Sequence, residues 1–283
     1  MQILDYFGTS KFYTGPTHSR KSARLIEELT TLQSFAEQFC FDIHVFQPRH
    51  AVRRSPDKLL KGINPETYIF SRGQAYYDTN VHSVDSSAEI ISFYQQNHLD
   101  KQKHVIAIDE VHLFDSNILN VFEILSRHPD FYVVGAGLFL SFRGEPWVFP
   151  PDFKESMGRL KEMIPEDNWV ELSALCQVCS RAANFTQRIN KHREPEPYYA
   201  PLVQVGFDYE PRCDIHFETP CRRAYEAVLF HIETSPEGVS LTDLESYFVP
   251  RLGTKKTLSQ ILKTLTDEKT VLQKNSSFFP NQA

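Results

Sequence analysis

Gly15-Pro16-Thr17-His18-Ser19-Arg20-Lys21-Ser22 (GPTHSRKS) is the stretch on which the fold turns. It fits the phosphate-loop pattern GxxxxGK[ST] at every fixed position except the sixth, where Arg20 stands in place of glycine. Such a loop directs backbone N–H groups at phosphate oxygens, and the positive end of the following helix strengthens the field. Gly15 opens the loop, Ser19 and Arg20 line it, Lys21 neutralises phosphate charge and Ser22 holds Mg²⁺. Glycine is favoured at the sixth position because it reaches backbone angles closed to other residues. Arg20 must therefore adopt a permitted conformation there or distort the loop. Taken alone, the octapeptide also reads as an ordinary turn and helix start.

The flanking sequence favours the first reading. Lys11 to Thr14 (KFYT) is a short apolar run that enters the turn as a strand. From Ser22 to Cys40, Leu25, Leu29, Leu32, Phe35 and Phe39 recur at helical spacing. Further strands are expected at 41–46, 105–108 and 131–136, with helices at 86–94 and 116–127. Strands alternating with helices imply an α/β fold, a parallel sheet flanked by helices. Residues 1–164 read as this nucleotide-binding domain.

An apolar strand, Val105 to Ile108, ends in the acidic pair Asp109-Glu110. A carboxylate so placed can reach a cation beside the phosphate loop. Asp109 is assigned to Mg²⁺ and Glu110 to the general base for a substrate hydroxyl. Beyond Pro150 the character changes. Cys176-x-x-Cys179 and Cys213-x-x-His216 are two paired ligand sets separated by a loop, a spacing that suits tetrahedral Zn²⁺. Four protein ligands leave no open position, so the metal is structural. Cys221 rivals His216 as fourth ligand, and Cys40 reads as a core residue. The zinc lobe is placed at 165–217. Residues 218–283 form a mainly helical extension, with helices at 223–234, 240–248 and 255–265 and a hairpin at 270–279, an order resembling a winged helix.

Composition sets limits. The chain has 283 residues, 41% hydrophobic and 23% charged, an ordinary globular balance. A net charge of −6 gives no global field for nucleic acid. Residues 217–283 hold eight Lys/Arg and eight Asp/Glu, so the tail has no strong electrostatic footprint for nucleic acid, although it is where such a partner would have to bind. Five cysteines do not make a disulfide framework in a chain this long. With no secretory signal and no run of ~18 apolar residues, a cytoplasmic protein without a membrane partner is expected.

Five segments together carry a resemblance: Gly15 to Ser22, Ile108 to Asp115 (IDEVHLFD), Gly137 to Phe149 (GLFLSFRGEPWVF), Leu172 to Arg188 (LSALCQVCSRAANFTQR) and Val205 to His216 (VGFDYEPRCDIH). In order and spacing they resemble the zinc-containing thymidine kinases of the bacterial type, over residues 9–217. The resemblance implies transfer of the γ-phosphate of ATP to the 5′-hydroxyl of thymidine, with Mg²⁺, in a homo-oligomer, usually a tetramer. Glu110 matches the catalytic carboxylate. Arg53 matches an arginine near the phosphates, and Phe142 an aromatic near the base. Val205, Gly206 and Tyr209 match the loop that closes over the nucleoside. The sequence departs from the family at Arg20, at His112 and Leu113, at Ala51, and at Phe139 and Ser141. The stretch 206–209 is also about two residues shorter than the family's closing loop. The substrate-reading parts are the more altered. A second class is thus in view beside the enzyme: a nucleotide- or nucleoside-binding module that passes its state on through a DNA- or protein-contacting tail.

Overall fold

The computed structural model describes residues 3–52, 62–71, 75–96, 103–151, 153–203 and 208–281. Its centre is a six-stranded parallel sheet built from β1 (Thr9–Thr14), β2 (Phe41–Pro48), β5 (Val81–Val84), β6 (Lys103–Ile108), β7 (Phe131–Gly137) and β8 (Trp169–Glu171). The strand order is β5-β2-β6-β7-β1-β8. Two short strands, β3 (Ile69–Phe70) and β4 (Tyr76–Tyr77), pair as a separate hairpin before β5.

Helices cover both faces. Successive side chains of a strand point to opposite sides, and β6 shows this directly. Val105 and Ala107 join one core with Leu25, Ile26 and Leu29 of α1 (Lys21–Gln33). Ile106 and Ile108 join the other, with residues of α3 (Ala88–Gln96), α4 (Ile118–Ser126) and α5 (Met157–Met163). A strand buried on both faces is apolar throughout, which made 105–108 and 131–136 legible. By contrast β5 carries His82 and Ser83 at the sheet edge, and no strand is expected there from its sequence.

The helix expected over 22–40 is two. α1 stops at Gln33, and a four-residue helix, α2 (Ala36–Phe39), follows. Cys40 ends α2 in the left-handed region (φ 51°) at the surface. Cys40 is thus exposed rather than a core residue, because it occupies the turn that sends the chain into β2.

Two antiparallel pairs make the lobe that follows: β9 (Ala174–Leu175) with β10 (Ala182–Ala183), and β11 (Phe185–Ile189) with β12 (Asp208–Arg212). The chain then forms α6 (Arg222–Glu233), β13 (Val239–Ser240), α7 (Leu241–Leu252), α8 (Lys255–Asp267), β14 (Val271–Lys274) and β15 (Ser277–Pro280). Its sheet order is β13-β15-β14, and the three helices and the sheet enclose their own core, with Val228, Leu244, Phe248, Ile261 and Phe278. Ser240 caps α7 by accepting the Asp243 N–H, and Thr254 caps α8 by accepting that of Thr257. Gly253 between them is left-handed (φ 81°), so α7 and α8 form a tight helix-turn-helix. Among the described residues no helix is long and apolar enough to cross a membrane.

Candidate active site and metal centre

The phosphate loop leaves the C-terminal end of β1 and runs into α1. Gly15 has φ 144°, and a Cβ there would lie 2.1 Å from the Leu172 carbonyl oxygen and 2.7 Å from Ser19 Oγ. Only glycine fits. His18 and Arg20 both lie in the left-handed region (φ 61° and 66°). Arg20 has therefore found a permitted conformation, the one glycine adopts at little cost. Its guanidinium turns outward, 3.5 Å from Glu27 Oε1, and its side chain is 75% exposed. It does not fill the loop. Inside, Lys21 Nζ donates to the Pro16 carbonyl at 2.7 Å. Ser19 Oγ is buried with no hydrogen-bond partner in the protein. An orphaned hydroxyl beside a lysine and a helix N-terminus fits an anionic phosphate oxygen.

The acidic pair meets this loop. β6 carries Asp109 to the same end of the sheet, with β7 lying between β6 and β1. Ser22 Oγ donates to Asp109 Oδ1 at 3.2 Å. This hydroxyl and carboxylate are the hard oxygen donors that Mg²⁺ prefers. Glu110 is left-handed as well (φ 50°, ψ 41°) and starts a 3₁₀ turn over Val111–Leu113. Strain of this kind, in a non-glycine residue, concentrates at working sites. His112 Nδ1 lies 3.7 Å from Glu110 Oε2 and accepts the Leu138 N–H at 3.2 Å. That contact holds the His112 ring beside the Glu110 carboxylate. Trp147 packs edge-on against the His112 ring at 4.6 Å.

A second constellation is built on Arg188, at the end of the FTQR run of β11. Its guanidinium lies 3.7 Å from the centroid of the buried Phe142 ring. Burial pulls its pKa below the ordinary arginine value, and Tyr209, hydrogen-bonded to it from β12, opposes that shift. The structure thus brings Phe142 and Tyr209 together through an arginine that sequence reasoning did not single out. Its strand has three polar residues in a row and no apolar alternation, so nothing in the sequence marked Arg188 as buried. Arg53, Val205 and Gly206 lie outside the described residues.

The four metal ligands converge from two knuckles. Cys176 Sγ and Cys213 Sγ lie 3.8 and 3.3 Å from His216 Nδ1, and Cys179 Sγ lies 3.8 Å from Cys213 Sγ. All four ligand atoms fall within 4.8 Å of one another. Ligands at ~2.3 Å around a tetrahedral zinc stand ~3.8 Å apart, so the donor set and spacing fit Zn²⁺. Burial works against a thiolate at Cys176, but the N–H groups of Cys213, Val178 and Cys179 outweigh it and bring the thiol down to about 6. Cys221 is exposed at the start of α6, outside this cluster.

A sequence model of the thymidine kinase family matches residues 8–217. The chain belongs to the thymidine kinase family. Nucleoside kinase is therefore its general class, and the cysteine–histidine cluster agrees with the zinc-containing branch. Among solved structures, the Pif1 helicase from Candida albicans is matched at 21% identity and a TM-score of 0.30, over 58% of this chain and 36% of that one. A Drosophila ORC structure bound to GC-rich DNA and Cdc6 is matched at 12% identity and a TM-score of 0.26, over 98% of this chain and 82% of that one. The chain spans little more than a third of the helicase chain, and likeness this loose carries nothing about function.

Proposed function

We propose that the protein phosphorylates the 5′-hydroxyl of a deoxynucleoside with ATP, thymidine being the preferred substrate. The observation that carries this is the Ser22–Asp109 hydrogen bond, which joins the phosphate loop to the acidic strand end with Glu110 one residue on. In this reading Gly15, Ser19, Lys21 and Ser22 receive the ATP phosphates, Arg20 contributing only its backbone N–H, with Arg53 near them. Ser22 and Asp109 hold Mg²⁺, which would offset phosphate charge when bound. Glu110 accepts the proton of the attacking hydroxyl. Phe142, Val205, Gly206 and Tyr209 face the nucleoside. Catalysis is positioning and charge stabilisation, without a covalent intermediate.

Cys176, Cys179, Cys213 and His216 hold one structural Zn²⁺. We assign residues 1–164 to nucleotide binding, 165–217 to the zinc lobe and substrate closure, with β8 at its start completing the central sheet, and 218–283 to an extension. A cytoplasmic tetramer is carried over from the family. The outward Arg20 removes the main steric objection to an active phosphate loop, which favours the enzyme over a silent binding module.

A coupled ADP-release assay across a panel of nucleosides tests the proposal. Thymidine should be the best acceptor. Glu110→Gln should lower the rate by roughly 10²–10⁴ with ATP binding kept, the range for a positioned general base. No nucleoside-dependent ADP release by the wild type would sink the enzyme reading, and full activity in Glu110→Gln would remove this residue from it.

A further inference from the structure

We propose that the C-terminal module is a winged helix-turn-helix that binds duplex DNA, with the exposed stripe of α8 in the major groove and the β14–β15 turn against the backbone. The connectivity is the first support. Helix α6, strand β13, the α7–Gly253–Thr254–α8 corner and the β14–β15 hairpin follow one another in that order. The sheet order β13-β15-β14 places the hairpin beside the helix-turn-helix. In such a pair the second helix enters the major groove and its N-terminal residues meet the bases.

The second support is what α8 exposes. Leu258, Ile261, Leu262, Thr264 and Leu265 are buried. Lys255, Lys256, Ser259, Gln260, Lys263 and Asp267 are exposed and fall on one contiguous stripe at 3.6 residues per turn. The β14–β15 turn adds exposed Gln273, Lys274 and Asn275. Lysine suits phosphate, and Ser, Gln and Asn are the neutral side chains that read base edges. Lys255 and Lys256 stand at the helix N-terminus, whose dipole adds positive charge.

The balanced charge of the tail does not decide this, because the stripe itself carries Lys255, Lys256 and Lys263 against one carboxylate, Asp267. Glu268 is turned away from the stripe and buried on Arg143, and Glu226 pairs with Arg222. Lys255 and Lys263 pair with Glu245 and Asp267 in exposed ion pairs, weak enough to exchange for phosphate. A protein partner is disfavoured by the same stripe, since protein interfaces are depleted in lysine and this face of α8 presents no large apolar side chain.

Fluorescence anisotropy of the full-length chain with a short labelled duplex tests the proposal, with salt varied from about 50 to about 200 mM. Four lysines predict a slope of log affinity against log salt of about −3 to −4, at ~0.9 per phosphate neutralised. The variant Lys255→Ala/Lys256→Ala/Lys263→Ala should lose at least about tenfold in affinity and flatten the slope toward about −1. Its kinase activity and circular dichroism should stay those of the wild type. Lys21→Ala should leave DNA binding intact, which separates the α8 stripe from phosphate capture by the loop. The proposal fails if the wild type does not bind duplex at about 50 mM salt, or if the triple variant binds equally. It also fails if single-stranded DNA competes better than duplex, or if the lysines prove to be needed for self-association instead.

Discussion

Arg20 concentrates the residue-scale question, since a side chain where a phosphate loop has glycine can obstruct the loop or stand clear of it. The structure has it stand clear. The backbone is left-handed, and the guanidinium reaches Glu27 on the first turns of α1. The conformation costs an L-residue roughly 1–2 kcal/mol. Arg20→Gly removes that strain but also frees the unfolded chain, an opposing effect of ~0.5–1 kcal/mol. The variant should therefore gain no more than about 1.5 kcal/mol in urea denaturation. Its Mg²⁺-ATP affinity, by calorimetry, should shift by less than threefold or so, because the lost side chain does not line the loop. A tenfold gain in affinity would show that Arg20 obstructs the site. The sequence made this residue conspicuous but left its effect open, because a φ of 66° and an outward rotamer depend on Glu27 and on the start of α1 rather than on the motif.

Two elements respond to different solution conditions, one to metal and one to pH. The zinc knuckles of β9–β12 have a small core made of the ligands themselves, Cys176, Cys179 and Cys213 with Ala183. Metal binding here is coupled to folding, so a chelator should unfold this lobe and lower overall stability. Metal analysis should give one zinc per chain, lost in His216→Ala and kept in Cys221→Ser; the reverse pattern would reassign the fourth ligand. At the other end of the sheet, His44 on β2 packs against His82 of β5, with Nδ1···Nε2 at 3.4 Å, and near His104 of β6. Burial, then His82 and His104, bring His44 down to about 4, against a raising effect of Asp42. The folded chain refuses a proton that the unfolded chain accepts near its ordinary 6.5. Stability should thus fall as pH drops from about 6.5 to about 4, and His44→Gln should flatten that dependence in urea titrations at several pH values. These elements were unequally legible. The zinc ligands show in sequence because metal chemistry fixes residue type and spacing together. The histidine cluster does not, because it is assembled only when β5 joins β2, and β5 has too little apolar patterning to announce a strand. The same holds for Arg188, whose placement over Phe142 depends on the pairing of β11 with β12.

At the scale of the whole molecule, the segment that carries Phe142 is tied to the last helix of the chain. Arg143, the next residue, makes a two-pronged ion pair with Glu268, at 2.8 and 2.6 Å, with both side chains at least 90% buried. Two further donors go to the carbonyls of Tyr198 and Ala200. Tyr198 donates to Glu145, which also pairs with Arg222 on α6. Burial works against the charge on Arg143, but Glu268 overcomes it and raises the guanidinium above its ordinary value. Removing one partner of such a pair strands the other, at a cost of about 3–5 kcal/mol. Glu268→Gln keeps the shape and removes the charge, so it should lower stability by an amount in that range. Arg143→Met alone should be comparably costly, because the Tyr198 and Ala200 carbonyls lose their donor as well. The double variant should recover part of the loss, a coupling of about 1–3 kcal/mol in a double-mutant cycle, since an uncharged pair strands no ion. If the tail supports the nucleoside side of the proposed active site, the KM for nucleoside should rise in Glu268→Gln while the KM for ATP stays near that of the wild type. Equal increases in both would mean that the tail stabilises the body as a whole, and additive stability losses in the cycle would mean that Arg143 and Glu268 do not act as a pair.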